Sequence, residues 1–225
     1  SSFTSGSDNV MIGNEAGKNL SIAAEVVLIG NKAGYGLAGN SQISDNMFIG
    51  NEAGYNVITG SRSTFIGNRA GWAETIGNEH TYIGNKAGWY LNQAYRNICI
   101  GYYAGKGVSE VDSQHSTDNI ILGSYAGNAL TSGGDNILIG SYAGSNVGAR
   151  EKNIMIGSHA GKLSDASYNI FVGATTDDPA VSNKAVGFNA TGSFNVVMGI
   201  NAGIDLTSGE KIVIMGFEAG EHVTS

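Results

Sequence analysis

The residue types that carry most hydrolytic and metal chemistry are sparse in this chain. There are four histidines, His80, His115, His159 and His222, and one cysteine, Cys99. His115 sits near Asp112 and Ser113, the residue types of a nucleophilic triad. A triad needs rigid groups converging from separate elements, whereas these are close neighbours in one loop-like stretch. Glu110 with Asp112, or Asp177 with Asp178, offer carboxylates that a groove between copies could bring together for glycoside hydrolysis. No Cys/His spacing fits zinc. Asp8, Asp45, Asp118 and Asp135 have the oxygen chemistry for Ca²⁺. Each stands where a turn former is wanted, and that role explains them better. The expectation is a non-enzymatic chain with no catalytic residue, cofactor or metal site.

The aromatic residues offer a different chemistry. Tyr35, Tyr55, Trp72 and Trp89 recur at one repeat position, and Tyr103, Tyr125 and Tyr142, followed by His159, at another. Aromatic rings on a rigid surface suit the apolar faces of sugars, with Asn and Ser nearby for the hydroxyls. They are the candidate contacts for a glycan or protein partner. The alternative is that the rings stack on one another and stiffen the molecule.

What positions them is a repeat, Gly-x-x-Ala-Gly, preceded by a short apolar run. Its first glycines are Gly13, Gly30, Gly50, Gly67, Gly84, Gly101, Gly123, Gly140, Gly157, Gly173, Gly187, Gly199 and Gly216. The commonest spacing is 17 residues, as from Gly13 to Gly30. Longer spacings mark loop insertions near 37–45 and 106–118, and the pattern is irregular over 174–195. Seventeen residues cannot hold two helices and a turn, and the apolar runs are short and rich in Ile, Val, Phe and Tyr. One Pro in 225 residues leaves the ladder donors intact. The reading is all-β: residues 1–225 as a single parallel β-solenoid of about 13 coils, roughly 60 Å long at about 4.8 Å per coil.

Both strand faces carry apolar ladders. The residue before the first glycine is Ile12, Ile29, Ile49, Ile66, Ile83, Ile100 and so on, and the one before it Met11, Leu28, Phe48, Phe65, Tyr82 and Cys99. Neighbours along a strand face opposite ways. The Ile ladder is expected to run through the middle of the stack. The other stripe would then be an apolar patch that self-association covers. The net charge of −7 argues against nucleic acid, and no run approaches 18 apolar residues, which argues against membrane insertion. The Thr residues do not align, as an ice-binding face would need.

The run Asn136-Ile137-Leu138-Ile139-Gly140-Ser141-Tyr142-Ala143-Gly144 resembles the head repeats of trimeric autotransporter adhesins (YadA-like), as also found in bacterial surface and phage tail-fibre proteins. The resemblance runs from Asn9 to Gly220. It implies a left-handed β-roll and a homotrimer. The opening Asn recurs as Asn9, Asn46, Asn97, Asn119, Asn136, Asn153, Asn169, Asn183 and Asn195, with Val26, Ser63, His80 and Ile212 in the other coils. A structural asparagine ladder accounts for them. The expected function is a non-enzymatic extracellular structural or adhesive rod, forming a trimeric head or a head-to-tail fibre on a cell surface, a secreted fibre or a virion. Neither terminal stretch holds an apolar segment long enough to cap the stack, which favours the fibre. The competing reading is a glycan-binding, even depolymerising, phage tail-fibre or tail-spike head. Its partners would be its own copies, surface glycans or a host receptor.

Overall fold

A computed structural model describes residues 6–37, 41–108, 115–174, 186–187, 190–204 and 206–220. Sixteen short strands are present among them: β1 (Val10–Ile12), β2 (Leu20–Ala24), β3 (Val27–Ile29), β4 (Ser41–Ser44), β5 (Met47–Ile49), β6 (Thr59–Ser61), β7 (Thr64–Ile66), β8 (Ile76–Asn78), β9 (Thr81–Ile83), β10 (Ile98–Ile100), β11 (Ile120–Leu122), β12 (Ile137–Ile139), β13 (Ile154–Ile156), β14 (Ile170–Val172), β15 (Val196–Met198) and β16 (Val213–Met215). β1, β3, β5, β7 and β9 to β16 form one 12-stranded sheet, and β2, β4, β6 and β8 a second. Strand pairing is parallel and follows the repeat, as in Leu138 beside Ile121 and Met155. The chain is an all-β parallel solenoid of about 11 turns with a period of about 17 residues.

Thirteen glycines thus mark twelve strands of the long sheet. The difference lies at Gly187. β14 pairs directly with β15, and a Cβ on Gly173 would sit 2.2 Å from the carbonyl oxygen of Gly199. The Gly161 N–H donates to Val186 O as that of Gly144 donates to Ala160 O, both at 2.9 Å. Val186-Gly187 is therefore the closing Ala-Gly pair of the coil that Gly173 opens. An insertion separates the two, and its residues 175–185 lie outside those described. Part of the loop expected over 37–45 is also not loop, since Ser41–Ser44 form β4.

The expected inside and outside of the strand are reversed. The middle residue of each strand points inward: Leu28, Phe48, Phe65, Tyr82, Cys99, Ile121, Leu138, Met155, Phe171 and Val197 are buried. The Ile ladder, with Ile83 and Ile139, is the third residue and faces outward with the first. All three positions are apolar, so alternation alone does not choose. The corner chooses. Gly30 adopts φ +137°, and a Cβ there would meet the Gly50 carbonyl oxygen at 2.3 Å. Only glycine lets adjacent coils approach so closely. Beyond it, Ala33, Ala53, Ala70, Ala87, Ala104, Ala126, Ala143 and Ala160 are wholly buried against the core, where a larger side chain has no room.

Candidate interaction surface

The outward face of the long sheet is a continuous apolar surface among the described residues. It is built from the first and third residues of twelve three-residue strands. Of these 24 positions 22 are apolar, the exceptions being Thr64 and Thr81. Neighbours in the ladder shield one another, so most are half-buried. Val10, Ile12, Met47, Ile98, Ile100, Ile120 and Met198 are exposed, Ile12 to 59%. The isoleucine side chains are not satisfied by the core. They form an apolar stripe along the outside of the long sheet.

Two polar rims flank this stripe. Both consist of residues in the left-handed region, with φ between 52 and 67°. One rim holds Asp8, Glu25, Asp45, Arg62, Glu79, Arg96, Asp118, Asp135 and Lys152. Its partners lie one coil away, as in Arg62–Glu79 at 2.8 Å and Arg96–Asp118 at 2.6 Å. The hydrogen bond from Arg96 holds the Asp118 carboxyl below its usual range. These aspartates are corner residues, and Asp8, Asp45 and Asp135 share the same backbone geometry. The other rim begins Glu15, Lys32, Glu52, Arg69 and Lys86, with Arg69 donating to Glu52 at 2.7 Å. Tyr103, Tyr125, Tyr142 and His159 continue it. Bulky residues in left-handed conformation are costly, about 1–3 kcal/mol each, and persist where neighbours hold them.

The neighbours here are aromatic rings. Tyr35 stacks on Tyr55 at 4.9 Å, and Tyr55 on Trp72 at 5.7 Å. Trp72 meets Trp89 edge to face, and Trp89 meets Tyr103 at 5.9 Å. Tyr103, Tyr125, Tyr142 and His159 then stack at 5.4, 4.9 and 5.1 Å with planes within 12°. The two aromatic series of the sequence are thus one spine, joined at Trp89. Lys86 lies over the Trp89 ring at 4.1 Å and donates a 2.7 Å hydrogen bond to the Tyr103 hydroxyl, which lowers the Tyr103 pKa. Lys32 covers Tyr35 and Tyr55, and Lys162 covers Tyr142. Inside the stack both ring faces are occupied by protein. A sugar could reach only ring edges, which is poor geometry for face stacking.

The asparagines line an inner corner. Backbone N–H groups of Asn119, Asn136, Asn153, Asn169 and Asn195 each donate to the side-chain oxygen of the ladder Asn one coil before, at 2.9–3.0 Å. Asn46 and Asn9 accept in the same way from Ser63 and Val26. The ladder passes straight from Asn169 to Asn195, and Asn183 lies outside the described residues. In two coils other residues stand in. Ser63 Oγ accepts from the His80 N–H, and His80 Nδ1 accepts from the Asn97 N–H, both at 3.2 Å. Beside them is a group that sequence reasoning missed, the wholly buried Glu74. The signal was available, because most uninterrupted coils carry an apolar residue there, such as Val57, Leu91 and Leu130, with Ser164 the other polar exception.

Of the groups considered for catalysis, Glu110, Asp112, Ser113, Asp177, Asp178 and His222 lie outside the described residues. His115 is exposed. His159 ends the aromatic spine, and His80 is in the core. A shallow groove of about 420 Å³ crosses the second sheet, lined by Ile22, Gln42, Ser44, Thr59, Ser61 and Asn78. It holds no ionisable side chain. No protein-family model matches the chain, and no match was found among curated proteins or solved structures.

Proposed function

We propose that this protein is a non-enzymatic structural rod of an extracellular surface or fibre, whose copies pack side by side through the outward face of the long sheet. One observation carries the reading: 22 of 24 outward positions are apolar on a face that the described residues leave open. Twelve strands at about 4.8 Å spacing make a face roughly 50 Å long and about 10 Å wide. With its rims this reaches the ~800 Å² per partner of a standard stable interface. An apolar centre between polar rims is also how such interfaces are built. The resemblance of the repeat to adhesin heads supports a place outside the cell and an assembly of few copies. The closed aromatic spine favours stiffness over sugar binding as the role of Tyr35, Tyr55, Trp72, Trp89, Tyr103, Tyr125 and Tyr142.

Native mass spectrometry is the test. The parent is expected as a discrete oligomer at micromolar concentration. Ile139→Asp with Ile156→Lys should yield monomers that keep the parent circular dichroism spectrum. A parent that remains a single chain under these conditions would refute lateral packing.

A further inference from the structure

Glu74 occupies the seventh position after the first glycine of its coil. Leu20, Val57, Leu91, Leu130, Val147 and Leu206 hold that position in six other coils and are buried in the core, and the buried Ser164 holds it in another. The Glu74 carboxyl is poorly served there. One oxygen accepts the Gln93 N–H at 3.1 Å, and the Ala94 N–H also bears on the carboxyl. The other has no hydrogen-bond partner and faces His80 Nε2 at 3.6 Å. His80 has little to offer it. Its Nδ1 accepts from Asn97, so the neutral ring carries its proton on Nε2, which donates to Ala94 O at 3.0 Å. Space for the pair comes from Gly77, where a Cβ would lie 2.5 Å from Glu74 Cδ and 2.8 Å from His80 Nε2.

The other groups around it bring no positive charge. Tyr82 of β9 stacks on the imidazole at 4.7 Å, and Phe65 of β7 lies on it at 6.4 Å. Tyr82 and Cys99 of β10 are acids that burial pushes up, and both are electrostatically coupled to Glu74. Glu79, on the rim, is the charged group that acts on His80. The site also falls where the second sheet ends. β8 is its last strand, and the next coil makes only an isolated bridge, Asn78 to Tyr95.

We infer that Glu74 and His80 make the stretch from Gly71 to Asn97 a proton-controlled weak link in the rod, shut while Glu74 keeps its proton and opening as base removes it. Burial holds the Glu74 carboxyl well above its usual 4.5, so the shut coil keeps a proton that the open coil releases. Closure therefore weakens as pH rises. His80 works in the opposite sense. Burial lowers it from 6.5 to about 4, so the open coil gains a proton below 6.5 that the shut coil refuses. Closure weakens on that side as pH falls. Above the histidine range, and below the pH at which the shut-state carboxyl itself ionises, Glu74 acts alone, and the opening constant should rise by up to about tenfold per pH unit, as loss of one proton requires.

Hydrogen exchange of the full chain from pH 6 to 9, corrected for the intrinsic rate, measures this. Peptides within 71–97 should show an opening constant that rises with pH, by up to about tenfold per unit, and peptides within 136–157 a flat one. Glu74→Leu and Glu74→Gln should flatten the first region. An unchanged rise in those variants, or an equal rise in both regions of the parent, would overturn the inference. Should neither variant fold, the parent still decides. Its infrared spectrum at pH 7 must show the carbonyl band of a protonated carboxylic acid, and absence of that band rejects a proton on Glu74.

Discussion

The stretch from Asn97 to Asn169 and the stretch from Asn46 to Asn97 solve the same corner differently. In the first, one residue type repeats through five coils. Each amide oxygen takes a backbone N–H from the next coil, and the side-chain nitrogens of Asn119, Asn136 and Asn153 bond the preceding oxygen at 2.9–3.2 Å. In the second, Ser63 and His80 replace asparagine and keep the backbone bond without the amide chain. Their coil also carries Glu74, with one oxygen unmatched. A solenoid therefore tolerates exchange of a ladder residue so long as an acceptor remains at the corner. The cost appears in the neighbouring core position. Regular coils share their amide oxygens with the next backbone, although the Asn169 side-chain nitrogen has no partner, and the substituted coils leave a carboxylate oxygen unmatched.

The difference can be broken from its strong side first. Leu138→Asp puts an unpaired carboxylate into the regular core, at a cost of several kcal/mol. Loss of the cooperative melt is expected, whereas the adjacent Ile139→Asp should melt like the parent monomer. Equal damage from the two would undo the assignment of inside and outside. Next comes Asn119→Leu, which strands the Asn136 N–H and Gly133 O, while the Asn136 side-chain amide keeps Arg150 O. At about 1–3 kcal/mol per unsatisfied buried group, a loss of about 2 kcal/mol or more is expected in denaturant titration. A change below 1 kcal/mol would mean that water replaces the ladder.

The weaker side can be sharpened. Glu74→Leu alone restores the apolar core residue of the substituted coil and leaves the acid-side effect of His80 in place. It should raise stability by about 1–3 kcal/mol at pH 8 by removing a poorly satisfied polar group, and by less at pH 5, where Glu74 keeps its proton. Calorimetry at the two pH values checks the order. The smallest effect belongs to the rim. Arg96→Ala removes an exposed pair, and its melting shift should vanish in high salt.

Much of this was legible in the residues. The 17-residue period, the strands and the asparagine corner follow directly from spacing and composition. Inside and outside did not, because Ile137, Leu138 and Ile139 are all apolar and give no alternation to read. The deciding constraint is the close approach of glycine backbones, which is three-dimensional. Gly187 misled the register because an Ala-Gly-like pair after an insertion looks like the start of a coil. The aromatic residues were recognised, but their union at Trp89 depends on two repeat positions meeting across a corner. Glu74 was hidden in a polar run, Glu74-Thr75-Ile76-Gly77-Asn78-Glu79-His80, whose burial no local pattern announces.

The in-register coil, finally, has a mechanical consequence. Tension applied between the ends would load the strand pairings one after another, because each coil is held only by the coils above and below it. Stretched from one end, the rod should lengthen in discrete jumps. A coil of 17 residues releases roughly 55–60 Å of extended chain. The coil between Gly173 and Gly199, 26 residues long, would release roughly 85–95 Å and stand out in a force trace as a longer step. The repeat is thus also a ruler, with its widest mark there and two lesser ones at the coils from Gly30 and Gly101.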